Sequence, residues 1–320
     1  MIFSLLLSSL LTFVQLNCEN LFDTRHDSLK NDLEFTPEGS YHWTRTRYWQ
    51  KINHLSQEII ALGETSDDKK PLVWRQPDLV ALCEVENDST MIDLTRRSLL
   101  RRAGYEYIMT SSADERGIDV ALLYQPTSFC PVRSWSLRIQ PLEGHRPTRD
   151  ILYVCGRVSD GDSIHVFVLH SPSRRGGEKT SRPYRLRVAE RLLSAVDSIY
   201  NVCPTARIIV SGDFNDYSES PALVMLAQND KLLEVSHDAQ GMHGAKATYR
   251  WHGEWRSLDH VFCSVEQKKL LQDCRIGDLP FLLEPDATYG GVKPARTYLG
   301  PRYLGGYSDH LPLVVRFRMK

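Results

Sequence analysis

Six stretches of this sequence set chemically capable side chains against runs of apolar residues. Phe13 to Leu16 leads into Asn17 and Glu19, Leu79 to Cys83 into Glu84 and Glu86, Val166 to Leu169 into His170, and Ile208 to Gly212 into Asp213, Asn215 and Asp216. Two others reverse the order: Asp259 and His260 open the run DHVFC, and Asp309 and His310 stand just ahead of LPLVV. Any one such residue is ordinarily a turn former, yet charge beside buried β-branched residues is costly without a polar site to face. Their recurrence points to one shared site. Carboxylate and amide oxygens suit a hard divalent cation, and histidines that titrate near neutrality can pass protons.

A shared site needs elements that bring these ends to one rim. The runs at 12–16, 79–82, 119–124, 151–154, 164–169, 207–210, 258–263 and 311–317 are short and rich in Val, Ile and Leu, as strands covered on both faces are. Parallel strands place their C-terminal ends at one rim, and an antiparallel neighbour starts there, so Asp259, Asp309 and His310 can join the others. Ile52, Leu55, Ile59 and Leu62 recur at helical spacing and predict an amphipathic helix over the sheet. A second helix is predicted after a cap at Asp88 or Ser89, carrying Met91, Leu94, Leu99 and Leu100 and stopping at Gly104. A third spans about 183–199, and a short one starts at Ser220 and Pro221. Residues 286–306, rich in glycine and tyrosine, read as an ordered loop facing a substrate. Strands mixed with covering helices predict an α/β or layered α+β fold, with residues 12–320 as a single domain and 1–11 as a separate apolar segment.

In order along the chain, LNCEN, LCEVEN, RGIDVALLY, FVLHSPSRRGG, SGDFND, SLDHVF and YSDHLPL resemble the motifs of the endonuclease/exonuclease/phosphatase superfamily, whose members are deoxyribonuclease I-like. The resemblance spans roughly residues 13 to 315. It implies a four-layer sandwich of two mixed β-sheets flanked by helices. It also implies a site in which Glu84 is the principal Mg²⁺ ligand, with Asn17 and Asp309 completing it and Mn²⁺ as a substitute. His310, oriented by Asp259, resembles the pair that contacts the scissile phosphate; Asp213 and Asn215 resemble the pair that positions water and phosphate oxygens. His170 stands where many members have a histidine that steadies the phosphate or protonates the leaving group. Abasic-site endonucleases have a tyrosine there, so the resemblance leads away from dedicated abasic-site repair.

The residues suit such chemistry on their own terms: hydrolysing a phosphate ester requires in-line attack by water, neutralised equatorial oxygens and a stabilised leaving alkoxide. The expected activity is a Mg²⁺-dependent phosphodiesterase of nuclease type. Its alternatives are a phosphomonoesterase or phospholipid head-group hydrolase and, since every proposed position holds a competent residue, more remotely an inactive binding module. Arg116, Arg174 and Arg296 are candidate substrate contacts. Asp119 is expected to orient the His170 ring, and Glu19 to lie near the metal or cap a loop. Glu86 and Asn87 are expected to support Glu84, and His260, facing away from Asp259 along a strand, to be structural.

Thirty-nine basic against 40 acidic residues give a net charge of −1, so no global field draws the chain onto nucleic acid or membrane. Binding of a polyanion must therefore be local, and Arg174 to Arg191 holds the most basic run. Seven scattered cysteines without a CxxC pair argue against a disulfide framework and a zinc site. No run reaches the roughly 18 apolar residues of a membrane span. A monomer acting on a phosphate ester, with nucleic acid among the candidate substrates, is expected in the cytoplasm, or exported if residues 1–11 are the remnant of a secretory signal.

Overall fold

The structure, a computed structural model, describes residues 10–65, 73–144, 146–174 and 176–319. Two six-stranded mixed sheets pack face to face. The first runs, edge to edge, Leu271–Ile276, Leu313–Arg318, Leu10–Leu21, Leu79–Val85, Asp119–Tyr124, Glu106–Met109. The second runs Leu232–Glu234, Asp259–Ser264, Arg207–Asp213, Ser163–His170, Ile151–Val158, Phe129–Leu137. Each sheet has one parallel pair at its centre, Leu10–Leu21 with Leu79–Val85 and Arg207–Asp213 with Ser163–His170. Each pair has an antiparallel neighbour, Leu313–Arg318 and Asp259–Ser264.

The two-residue period of a strand explains the layering. Phe13, Leu79, Val120, Val166 and Ile209 face the space between the sheets, whereas Val14, Val80 and Leu82 face outward onto Ile52, Leu55 and Ile59 of the Arg45–Leu62 helix. On the far side Phe167, Ile208 and Val210 meet Tyr184, Val188, Leu192 and Val196 of the Glu178–Val202 helix. The result is the four-layer sandwich that the motifs implied.

Several elements depart from the predicted ones. The first strand begins at Leu10, where Leu10 and Leu11 pair with Arg318 and Phe317, so it takes in the end of the apolar segment; residues 1–9 of that segment lie outside the described residues. Nor does this strand stop before Asn17. It continues to Leu21 through an irregularity that faces a second one at Glu84. Glu19, Asn20 and Glu84 there have φ of 46°, 60° and 63°, left-handed backbone that non-glycine residues adopt at a cost and that concentrates at functional sites. Bulges of this kind re-aim side chains.

The second helix is broken: Asp88–Ile92 is α-helical, Asp93–Arg97 widens to a π turn, and Leu99–Arg102 tightens to 3₁₀. Asn87, rather than Asp88 or Ser89, caps it, its Oδ1 accepting from Thr90 N at 3.0 Å. Thr95 and Ser98 hydroxyls donate to the carbonyls of Met91 and Leu94, the back-bonding that loosens helices. The third helix outruns its predicted ends and carries Pro183 inside. The edge strand Phe129–Leu137 was not foreseen because most of it is exposed, its apolar residues are broken up by Arg133, Ser134 and Ser136, and Pro131 lies within it. A tight hairpin pairs Tyr249–Trp251 with Glu254–Arg256. Its two turn residues, His252 and Gly253, both have positive φ, 50° and 84°, the signature of a type I′ turn. The 286–306 region contains short strands, among them Tyr298–Leu299 paired with Arg302–Tyr303. Among the described residues no helix is long and apolar enough to cross a membrane, and all seven cysteines are unpaired.

Candidate active site

The central strands of both sheets end at one rim. Register sets Asp213 beside His170 on one side and Asp259 on the other. The strands close in tightly there, because a Cβ on Gly212 would fall 1.9 Å from the Leu169 carbonyl oxygen. The other sheet reaches across: Asn17 Nδ2 donates to Asp213 Oδ2 at 2.9 Å, and Ser211 Oγ donates to Gln15 Oε1 at 2.9 Å. Ser308 Oγ donates to the Asn17 carbonyl at 2.7 Å and accepts from His310 N at 3.1 Å. This tether delivers His310 to the seam.

His310 Nδ1 donates to Asp259 Oδ2 at 2.6 Å, which leaves Nε2 facing Asp213 Oδ2 at 4.0 Å. His170 Nε2 lies 3.7 Å from both Asp213 Oδ2 and Glu84 Oε1. Asn215, itself at φ 50°, donates its backbone N–H to Asp213 Oδ1 at 2.8 Å and its amide to the Ser171 carbonyl at 3.1 Å. Five of the sequence candidates, Glu84, His170, Asp213, Asp259 and His310, thus form one chain of contacts, with Asn17 and Asn215 bonded to Asp213.

Their surroundings divide the protons. Burial lowers His310, but the carboxylates of Asp259 and Asp213 outweigh it and hold the imidazole well above its usual range. Burial pushes Asp213 up to about 7, with Asp259 and Glu84 adding to the rise and His310 opposing it. Burial also pushes His170 well below its usual range, helped by the charges of Arg149 and Arg116. The site therefore pairs a charged imidazole with a neutral one across a carboxyl poised near neutrality.

Oxygen donors for a hard cation are present. Glu84 Oε2 accepts from Asn20 N at 2.8 Å, while its Oε1 accepts no hydrogen bond among the described residues. Asp309 gives one oxygen to Arg296 Nη2 at 3.0 Å, and Asn17 Oδ1 accepts from Glu19 N at 2.9 Å. The Glu84 and Asp309 carboxylates and the Asn17 amide carry oxygens of the kind that a hard divalent cation takes. Asp213, Asp259 and His310 also lie close enough to share an ion, with ligand atoms within 4.8 Å of one another. The 2.6 Å hydrogen bond already occupies the His310 nitrogen that faces Asp259.

Other candidates fall outside this cluster. Asp119 does not orient His170: its carboxylate accepts from Thr110 Oγ1 at 2.5 Å and from Ser112 N, and His170 Nδ1 has no hydrogen-bond partner among the described residues. Glu19 accepts the backbone N–H groups of Thr297 and Tyr298 at 2.6 and 3.2 Å, anchoring the glycine-rich loop that carries Arg296. Arg116 donates to Asn20 Oδ1 and so braces the residue that holds Glu84. Arg174 pairs with Glu178 and lies over the Tyr217 ring. His260 is buried between Glu234 and the Asp216 carbonyl, and Glu86 accepts from Asp23 N. The sequence reading missed Gln15, Ser211 and Ser308. A buried glutamine inside the run FVQL was the available signal, since such a group must find partners.

A two-sheet sandwich with carboxylates and histidines at its seam suits hydrolysis of phosphate esters. Residues 12–319 match the endonuclease/exonuclease/phosphatase family, and the chain belongs to that family of hydrolytic phosphoesterases. A family protein from Bacteroides thetaiotaomicron has a similar structure, with 15% identity, 98% of each chain covered and a TM-score of 0.64. The human Nocturnin catalytic domain with bound sulfate anion is 18% identical, covering 97% of this chain and 95% of that one at a TM-score of 0.59. A mannosyl-6-phosphatase from B. thetaiotaomicron is 16% identical, covering 95% and 98% at a TM-score of 0.61. At such identities the likeness is one of fold. A search of curated proteins finds no match.

Proposed function

We propose that the protein is a Mg²⁺-dependent phosphodiesterase of nuclease type, acting by in-line attack of water on a phosphate ester. The observation that carries this reading is the meeting of Glu84, His170, Asp213 and the Asp259–His310 pair from both sheets at one point. Glu84, Asn17 and Asp309 are the residues to hold the cation, which when bound supplies charge neutralisation at the phosphoryl oxygens. His310, kept protonated by Asp259, presents Nε2–H to a phosphate oxygen. Asp213, titrating near neutrality, takes the proton of the attacking water, and Asn17 and Asn215 fix its two oxygens. Neutral His170 steadies the phosphate between Glu84 and Asp213.

Phosphomonoester hydrolysis is the second reading, favoured by the fold-level likeness to a mannosyl-6-phosphatase over almost the whole of both chains. Purified protein assayed with Mg²⁺, Mn²⁺ or EDTA against oligonucleotide, diester, phospholipid and monoester substrates separates the two. Diester turnover that is lost in EDTA is expected. Equal turnover in EDTA and Mg²⁺ refutes the metal mechanism, and exclusive monoester turnover establishes the second reading.

A further inference from the structure

We propose that the hairpin Tyr249–Trp251/Glu254–Arg256 and the adjoining Tyr289 turn form a base-stacking platform, and that the substrate is a single-stranded nucleic acid; this rests on the phosphodiesterase reading above. The hairpin starts at the reactive centre, where Tyr249 pairs with His310 and its ring lies 5.0 Å from the imidazole. Trp251 falls on the same strand face two residues further out. At about 3.4 Å per residue that is about 7 Å, roughly two steps of stacked bases.

Beyond Tyr249 the rings form a row. Trp251 stacks on His252 at 4.6 Å and 29°, and His252 lies 6.2 Å and 22° from Tyr289. Trp251 is 58% and Tyr289 54% exposed, and none of the three rings belongs to a hydrophobic core. The row is nevertheless built into the fold. A Cβ on Gly253 would sit 2.8 Å from the Tyr289 side chain, so the bare turn is what lets Tyr289 lie against it. Arg250 binds the carbonyls of Val292 and Gly290, and Asp286 Oδ1 accepts from Thr288 N and Tyr289 N.

Basic groups border the path. The guanidiniums of Arg174 and Arg256 both lie over the Tyr217 ring, at 4.3 and 3.7 Å, two residues beyond Asn215; Glu178 and Glu219 are their acidic partners. Exposed rings beside arginines are the arrangement that binds single strands without sequence preference, because every base has a π-face. A duplex keeps its bases stacked on each other and cannot offer them to Trp251 or Tyr289.

The test compares the wild type with Trp251→Ala/Tyr289→Ala and Trp251→Phe/Tyr289→Phe. Anisotropy of a short fluorescein-labelled oligonucleotide, measured in EDTA, reads binding without turnover. Stacking strengths predict at least about a tenfold loss of affinity in the alanine variant, recovery in the phenylalanine variant, and weaker binding of duplex than of single strand. The ratio of oligonucleotide to bis(p-nitrophenyl) phosphate turnover should fall by the same factor. Equal affinity in the wild type and the alanine variant overturns the platform, as does duplex binding as tight as single-strand binding. So does loss of sedimentation with phosphatidylserine vesicles while oligonucleotide affinity is kept. If neither oligonucleotide nor diester is hydrolysed, the phosphodiesterase reading fails, and the anisotropy result still decides the platform.

Discussion

The hydrogen bond from His310 Nδ1 to Asp259 fixes which imidazole nitrogen faces the seam and stabilises the charged ring. Replacing Asp259 with asparagine keeps the shape but removes the charge, so kcat should fall on the order of 10²-fold to 10⁴-fold, with KM little changed and an unaltered circular dichroism spectrum. A smaller effect would mean that Asp259 does not set the state of His310. Glu58 allows a test outside the site. It is fully buried, neither carboxylate oxygen has a hydrogen-bond partner among the described residues, and burial pushes it up to about 8 against the pull of Lys51. The unfolded chain releases this proton near pH 4.5 while the folded chain keeps it to about 8. Folding stability therefore falls as pH rises through that window. At about 1.4 kcal/mol per unit the loss amounts to a few kcal/mol, and urea melts of Glu58→Gln at pH 5 and 8 should lack it. That side chains would meet was readable wherever a polar group ended an apolar run, as at Glu84, His170 and Asp213. Asp119 looked the same in sequence as Asp259, since each opens a strand. What separated them was Thr110 and Ser112, whose claim on Asp119 depends on a strand pairing that sequence alone does not declare.

At the scale of elements, the site is made by close approach and by bulges. Gly212 is needed because a methyl group there would meet the Leu169 carbonyl, which is backbone and cannot yield. Gly212→Ala should cost on the order of 3 kcal/mol, seen as a lower urea midpoint, and should depress turnover in the surviving folded fraction by parting Asp213 from His170. A variant as stable and active as the wild type would show that the strands slide freely. Central strands were legible from their continuous apolar runs. The edge strands Glu106–Met109, Phe129–Leu137 and Leu271–Ile276 were not, because they are only partly buried and short or interrupted by polar residues, so no continuous apolar run marks them. The bulges at Glu19 and Glu84 were invisible for another reason: they arise from a mismatch between two strands, not from either one.

For the whole molecule, the site straddles two sheets, so a ligand that binds it bridges the halves of the sandwich. A cation bound by the folded chain alone stabilises it by mass action, about 2.7 kcal/mol at a hundredfold excess over Kd. At that excess of Mg²⁺ thermal denaturation should therefore shift upward by about 4 °C. Glu84→Gln should abolish the shift; if the shift persists unchanged, the cation sits elsewhere. The motif order gave the sandwich its outline, while the near-zero net charge said little about partners, since a total does not tell where Arg174, Arg256 and the exposed rings of Trp251 and Tyr289 sit.

Because the strand Leu10–Leu21 lies between Leu79–Val85 and Leu313–Arg318, the earliest long element among the described residues must wait for its latest neighbour. On a ribosome, which releases a chain from its N-terminus, Asn17 and Glu84 emerge long before His310. The seam is thus incomplete in every shorter nascent chain. A truncated product that ends before residue 310 carries most of the acidic groups yet lacks the imidazole that faces them, and so should be inert towards cellular phosphate esters.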